Sequence, residues 1–156
     1  MRRHGFTLLE LLVVLAIMGL IMGSTLAGYF AIGQGARLRG AVNTIESNLA
    51  LARQRTILHQ VPLSVVFYED PPNSDLWHYH VEEANSTNLI GEVMHVPPGV
   101  EVTWISSDSI TFQPSGGAGE ATMEITLSET TGTGDWVLTV YGLTGLVKVT
   151  PPGSGP

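Results

Sequence analysis

The most unusual ionisable residue of this chain is Glu10, which lies inside a long apolar run. Residues 11–33 carry no charge, and Arg2 and Arg3 precede the run. A carboxylate in such a segment costs about 2.5–3.5 kcal/mol at the centre of a bilayer and less near its edge. Because the cost is high, such a residue usually has a partner, but the physics of the sequence alone leaves a functional Glu10 and a residue without a special role equally open.

Two histidines could in principle hold a metal ion. His78 and His80 alternate with apolar residues, so they project to the same face of a predicted strand. Two nearby imidazole nitrogens with no clear third ligand make a weak metal signal. We therefore predict that this face is an exposed polar face and that the protein has no metal site here.

An acidic loop offers oxygen ligands that suit Ca²⁺, but it lacks the spacing and the glycine of an EF-hand. We predict a surface loop at these positions, which are Glu69, Asp70, Asn73 and Asp75. The segment Gly33-Gln34-Gly35 has neither a preceding strand nor a following Lys-Ser/Thr, so it is no phosphate loop. Nothing in the sequence demands an enzyme, and we expect no cofactor.

Length and charge narrow the class of protein further. The chain has 156 residues, which is the usual size of one domain, and it has no cysteine and therefore no disulfide scaffold. From Thr56 to the C-terminus the sequence has twelve carboxylates and a single Lys or Arg, which is Lys148. Such a surface repels phosphate backbones, so nucleic acid is not an expected partner.

The apolar run that contains Glu10 is long enough to cross a membrane. About 20 helical residues span a hydrocarbon core of ~30 Å, and basic residues favour the cytoplasmic side. The sequence thus predicts a cytoplasmic N-terminus and a periplasmic remainder. Two other interpretations are an uncleaved signal anchor and a secretory signal peptide cleaved after Thr25-Leu26-Ala27, with a mature start near Gly28.

The elements that follow are one amphipathic helix and a set of strands. Gly33 and Gly35 are predicted to be a flexible point between the membrane and periplasmic halves of the helix. The helix then continues to about His59 and ends before Pro62. One face of this helix carries an apolar stripe at three- and four-residue spacing. The stripe consists of Leu38, Val42, Ile45, Leu49, Ala52 and Thr56.

Beyond Pro62 the apolar period changes to two, which indicates strands. Strands are predicted over 63–68, 77–82, 100–104, 123–127, 136–141 and 146–149, the last two forming a closing hairpin. Three tryptophans at alternating strand positions are predicted to be core residues: Trp77, Trp104 and Trp136. The fold class is therefore α+β, with a long N-terminal helix packed on a mostly antiparallel sheet or sandwich.

The N-terminal residues Gly5-Phe6-Thr7-Leu8-Leu9-Glu10 resemble the type IV prepilin signal. The resemblance implies that a prepilin peptidase cleaves between Gly5 and Phe6 and methylates the new N-terminus at Phe6. Glu10 would become the fifth mature residue. Its carboxylate could then pair with the cationic amine of a neighbouring subunit, because two charges that are costly alone become tolerable together.

Three further segments resemble the GspH/FimT family of minor pseudopilins and minor pilins. Leu51-Ala52-Arg53 matches the start of a family pattern, although Gln54, Arg55 and Thr56 depart from it. Ile110-Thr111-Phe112-Gln113-Pro114-Ser115-Gly116 and Gly145-Leu146-Val147 match two others, with Leu146 in place of the usual arginine. The resemblance implies a leader at 1–5, a transmembrane and assembly half-helix at 6–33, an amphipathic half at 34–60, a β-rich periplasmic head at 61–150 and a flexible tail at 151–156.

The expected function is that of a minor pseudopilin of a type II secretion system, at or near the pseudopilus tip. The implied partners are prepilin peptidase, other major and minor pseudopilins, the inner-membrane secretion platform and inner-membrane lipid. One alternative is a minor pilin of a type IV pilus. Another is an exported β-domain enzyme or carbohydrate-binding module behind an ordinary signal peptide.

Overall fold

The computed structural model describes residues 8–33, 35–72, 74–84, 86, 88–119, 121–130 and 134–154. The chain divides into two compact units, residues 1–34 and residues 35–156. Some predictions from the sequence lie outside the described residues. They concern the leader 1–5 with Gly5, Phe6, Asn73 of the acidic loop and the last two residues of the tail.

The first unit contains one helix, α1 (Leu8–Gly33). Its residues are apolar on every side, so the helix has no polar face of the kind that a surface helix of a globular protein presents to water. Within the described residues, no helix meets the combined length and hydropathy required to cross a bilayer. The membrane-crossing segment over 6–33 therefore stays a prediction.

The second unit begins with α2 (Ala36–His59). Gly35 precedes it with a φ of 82°, a left-handed conformation that glycine adopts without steric cost and that separates α2 from α1. Gln60 ends the helix in the same conformation, two residues before Pro62. The end predicted near His59 is confirmed, and the predicted stripe is buried together with Ala41.

In the described part of the chain after α2, eight strands form two four-stranded antiparallel sheets. One sheet has the order β3-β2-β1-β5 and the other the order β4-β6-β7-β8. The strands are β1 (Leu63–Glu69), β2 (Trp77–Glu83), β3 (Met94–His95), β4 (Val100–Ile105), β5 (Ser109–Phe112), β6 (Met123–Glu129), β7 (Trp136–Val140) and β8 (Val147–Thr150).

The hydrophobic core lies between α2 and the inner faces of both sheets. The α2 stripe packs with alternate residues of the strands, such as Val65 and Phe67 of β1 and Ile125 and Leu127 of β6. Each of these side chains is almost fully removed from water. The predicted α+β class and the closing β7–β8 hairpin are confirmed.

Trp104 corrects one prediction, because it is 52% exposed rather than a core residue. Val102 lies opposite Leu127 while Trp104 lies opposite Thr126, so Thr103 is an extra residue in β4. This bulge reverses the alternation and turns Trp104 to the outer face. Trp77 and Trp136 are partly buried against the core, as the period of two predicts.

Candidate functional site

The first candidate site is the N-terminal segment. The structure describes this segment from Leu8 onward, which includes Glu10. Glu10 lies in the first turn of α1, where the helix dipole favours a negative charge. Its side chain is exposed, so it is accessible to a group from another molecule. The cleavage residues Gly5 and Phe6 lie outside the described residues, and their predicted role is untested by the structure.

The side chains around Glu10 form a continuous apolar surface. Twelve large apolar residues between Leu8 and Met22 are each at least 44% exposed. A helix that is apolar all round is stable in water only when other apolar groups cover it, and exposed patches of this size mark interaction sites. This surface requires lipid or other protein helices as its environment.

The second candidate site is where the three family-like segments 51–57, 110–116 and 145–147 meet at one end of α2. Arg53 lies at their junction. Its Nε donates hydrogen bonds to the carbonyl oxygen of Gly116 at 2.8 Å and to that of Thr144 at 3.1 Å. We call this arrangement the Arg53 clasp, since it links α2 to two loops that are distant in sequence.

Glycines permit the close packing of the clasp. A Cβ on Gly145 would collide with the carbonyl oxygen of Gly116 and would come within 3.0 Å of the Arg53 Nε. A Cβ on Gly142 would collide with the carbonyl oxygen of Ala121. Arg53 entered the sequence analysis only as part of a family-like segment, and the structure gives it main-chain acceptors on two neighbouring loops.

A third feature lies at the other end of α2. The Gly35 N–H donates a hydrogen bond of 2.8 Å to a carboxylate oxygen of Glu129, the last residue of β6. The first N–H groups of a helix lack partners within the helix, so the carboxylate satisfies one of them and complements the helix dipole. This contact fastens the start of α2 to the sheet.

An interior polar contact of the head joins Asn48 to Tyr79. The Asn48 amide donates to the Tyr79 hydroxyl at 2.8 Å, and Tyr79 is almost completely buried. Burial raises the pKa of the Tyr79 phenol above its ordinary value of 10.0, and the hydrogen bond from Asn48 opposes this shift in part. Tyr79 is therefore a neutral core residue at physiological pH.

The structure adds a third histidine, His95, to the predicted face of His78 and His80. His80 contacts Glu82 at 3.4 Å, whereas His78 contacts His95 through an Nδ1–Nδ1 distance of 2.6 Å. Sequence reasoning missed His95, because β3 is too short to produce a period of two. Among the residues that the structure describes, no three His, Asp or Glu side chains converge as metal ligands.

An apolar N-terminal helix followed by an α+β head is the architecture of a pilin-like protein, and the prokaryotic N-terminal methylation motif matches residues 1–26. The family model of the type II transport protein GspH matches residues 41–144, most of the second unit. The chain belongs to the GspH family, and the resemblance to GspH/FimT-type minor pseudopilins is confirmed.

Solved structures with the same fold include minor pilins and a minor pseudopilin. The type IV minor pilin FimU of Pseudomonas aeruginosa superposes with a TM-score of 0.60 at 15% identity, over 76% of this chain and 92% of that chain. The minor pseudopilin EpsH of the Vibrio cholerae type 2 secretion system gives a TM-score of 0.55 at 12% identity, over 76% of this chain and 99% of that chain. No curated protein matches the chain.

Proposed function

We propose that this protein is a minor pseudopilin, a structural subunit at or near the tip of a type II secretion pseudopilus. In this role it aids pseudopilus assembly and the export of folded proteins across the outer membrane. The observation that carries the proposal is the order of features along the chain. A methylation motif and an apolar helix with exposed side chains come first, and a GspH head follows them. The role is structural, so it requires neither catalysis nor a cofactor.

The proposed life cycle starts in the inner membrane. The segment 6–33 anchors the precursor there, with Arg2 and Arg3 on the cytoplasmic side and the head in the periplasm. Prepilin peptidase cleaves between Gly5 and Phe6 and methylates Phe6. The apolar surface of α1 then exchanges lipid for the helices of other pseudopilins, with the inner-membrane platform driving this transfer.

Glu10 provides the axial register of assembly. Cleavage leaves a cationic amine on Phe6, and both this amine and the Glu10 carboxylate are costly to bury alone. Pairing them between neighbouring subunits satisfies both groups and fixes the position of one helix along the next. The exposed position of Glu10 in the first turn of α1 supports this arrangement.

Replacement of Glu10 by alanine tests this pairing. We expect Glu10→Ala to be cleaved normally but to be lost from the fibre, since the buried Phe6 amine of the neighbouring subunit would have no counter-ion. The matched control is Glu46→Ala on α2, which removes a carboxylate outside the apolar segment. Quantitative blotting of sheared fibres and membranes measures both steps. Incorporation of Glu10→Ala at the wild-type level would contradict the pairing.

A minor pilin of a type IV pilus is the second candidate, favoured by the superposition on FimU. The two functions are separated by deleting the protein in its native host and measuring secreted exoprotein activity and surface pili in parallel. A type II pseudopilin predicts loss of secretion with normal pili, restored by the wild-type chain. Loss of pili with normal secretion would contradict the proposal and identify a minor pilin.

A further inference from the structure

We propose that His78 and His95 form a binding site for a divalent transition-metal ion, with Cu²⁺ bound most tightly. The two residues lie directly opposite each other on the antiparallel strands β2 and β3. Their rings are 4.6 Å apart at an interplanar angle of 79°, and the two Nδ1 atoms approach to 2.6 Å. Both nitrogens therefore lie side by side at one place on the sheet.

The spacing of the two Nδ1 atoms is close to that of ligands on one metal ion. Metal–imidazole bonds are about 2.0–2.1 Å long, which separates two adjacent ligand nitrogens by about 2.9–3.4 Å. The rings have to part by less than about 1 Å from their present distance. His95 is exposed on the edge strand β3, so an adjustment of its side chain by this amount does not require the core residues to move.

The protonation of the pair also favours a metal. The Nε2 of His78 lies 3.3 Å from the carbonyl oxygen of Asp70, which can only accept a hydrogen bond. His78 Nε2 must then carry the proton, and its Nδ1 offers a lone pair. A hydrogen bond from the second ring nitrogen to a carbonyl is the support that metal-binding histidines usually have.

Metal binding replaces one proton. Because the Nδ1 of His78 is the acceptor, the Nδ1 of His95 is the donor in the contact between them. On binding, the metal takes the lone pairs of both Nδ1 atoms, and the proton of His95 moves from Nδ1 to Nε2 by exchange with solvent, so both rings stay neutral. No electron is transferred and no other bond is broken.

The donor set selects the class of ion. Imidazole suits Cu²⁺, Ni²⁺ and Zn²⁺, with affinity greatest for Cu²⁺, whereas Ca²⁺ and Mg²⁺ prefer oxygen ligands. The net charge of −7 attracts cations to the protein. Water would complete the coordination, since no third His, Asp or Glu converges with the pair among the described residues.

The test is calorimetric titration of the full chain in detergent with CuCl2, in a buffer that does not bind copper. We expect His78→Gln and His95→Gln each to weaken binding at least about tenfold, because loss of even a supporting residue costs about 10- to 100-fold. The matched controls His80→Gln and His59→Gln should bind like the wild type. CaCl2 should produce no specific heat.

Electron paramagnetic resonance of the bound Cu²⁺ supplies an independent readout. The wild type should show coupling to two imidazole nitrogens of the site, and each single variant should lose one of them. Unchanged Cu²⁺ affinity in both variants, or equal weakening in all four, would refute the site and indicate adventitious binding only. Circular dichroism monitors folding, and His95→Gln decides alone if His78→Gln misfolds, since His95 is exposed.

Discussion

Arg53 is the residue on which the family-like segments of the head converge. Its hydrogen bonds to the carbonyl oxygens of Gly116 and Thr144 connect α2 with two loops. The single Nε–H is shared between the two acceptors, so together they count as about one hydrogen bond from a charged donor, which contributes about 1.5–3 kcal/mol at most. We therefore interpret these segments as a structural feature that holds α2 against two loops of the head. The Arg53 Nε–H is already used by main-chain acceptors.

Gly145 is the position where the clasp tolerates least change. Gly145→Ala should lower the free energy of unfolding by about 2–5 kcal/mol, since it adds left-handed strain and a collision with the Gly116 carbonyl. Gly153→Ala is the matched control, because Gly153 has a φ of 79° but open space around it. Thermal unfolding monitored by near-UV circular dichroism compares the two. Equal destabilisation would contradict the close packing.

Tyr79 should make the head sensitive to alkaline pH. Its pKa is raised by burial, so above pH 10 the phenol ionises in the unfolded chain before it ionises in the folded one. The free energy of unfolding should therefore fall as pH rises through this range, by at most about 1.4 kcal/mol per pH unit.

Tyr79→Phe isolates this effect. At neutral pH the variant should be less stable by about 1 kcal/mol, because the hydrogen bond from Asn48 is lost. Above pH 10 the difference should shrink, since phenylalanine does not titrate. Unfolding measured at pH 7 and at several values above 10 gives both quantities, and a constant difference would show that the phenol titrates alike in both states.

Among the elements, α2 contains one polar group that its packing does not satisfy. The hydroxyl of Thr56 is buried and has no hydrogen-bond partner among the described residues. Thr56→Val preserves the shape and removes the hydroxyl, so we expect a stability gain of about 1 kcal/mol.

The control for this element is Thr44→Val on the exposed side of α2, where the hydroxyl donates to the carbonyl oxygen of Gly40 at 2.8 Å. Its stability should change by less than about 0.5 kcal/mol. Both values come from thermal unfolding under the same conditions. A loss of stability in Thr56→Val would mean that the hydroxyl finds a partner in the folded protein.

The elements also differ in how well the sequence predicts them. The stripe on α2 was predicted correctly, because a helix with one buried face repeats its apolar residues every three or four positions. The outward turn of Trp104 could not be predicted, since a bulge changes the register only through pairing with β6. β3 was missed because two residues carry no period, and with it the pairing of His78 and His95.

At the scale of the whole molecule, the two units place different demands on their surroundings. The second unit buries its apolar residues between α2 and the sheets, whereas α1 exposes twelve large apolar side chains. Composition alone indicates this division, because the carboxylates are concentrated in the head and the apolar run precedes it. The contacts of the Arg53 clasp required the structure, because they join segments up to 91 residues apart.

The central claim is that this chain is processed and assembled as a prepilin. It is tested most directly by the intact mass and N-terminal sequence of the mature protein, isolated from membranes of its native host. We predict a start at N-methylated Phe6 with the apolar helix retained. A start near Gly28 would contradict the claim, since it would make the segment that contains Glu10 a discarded signal peptide.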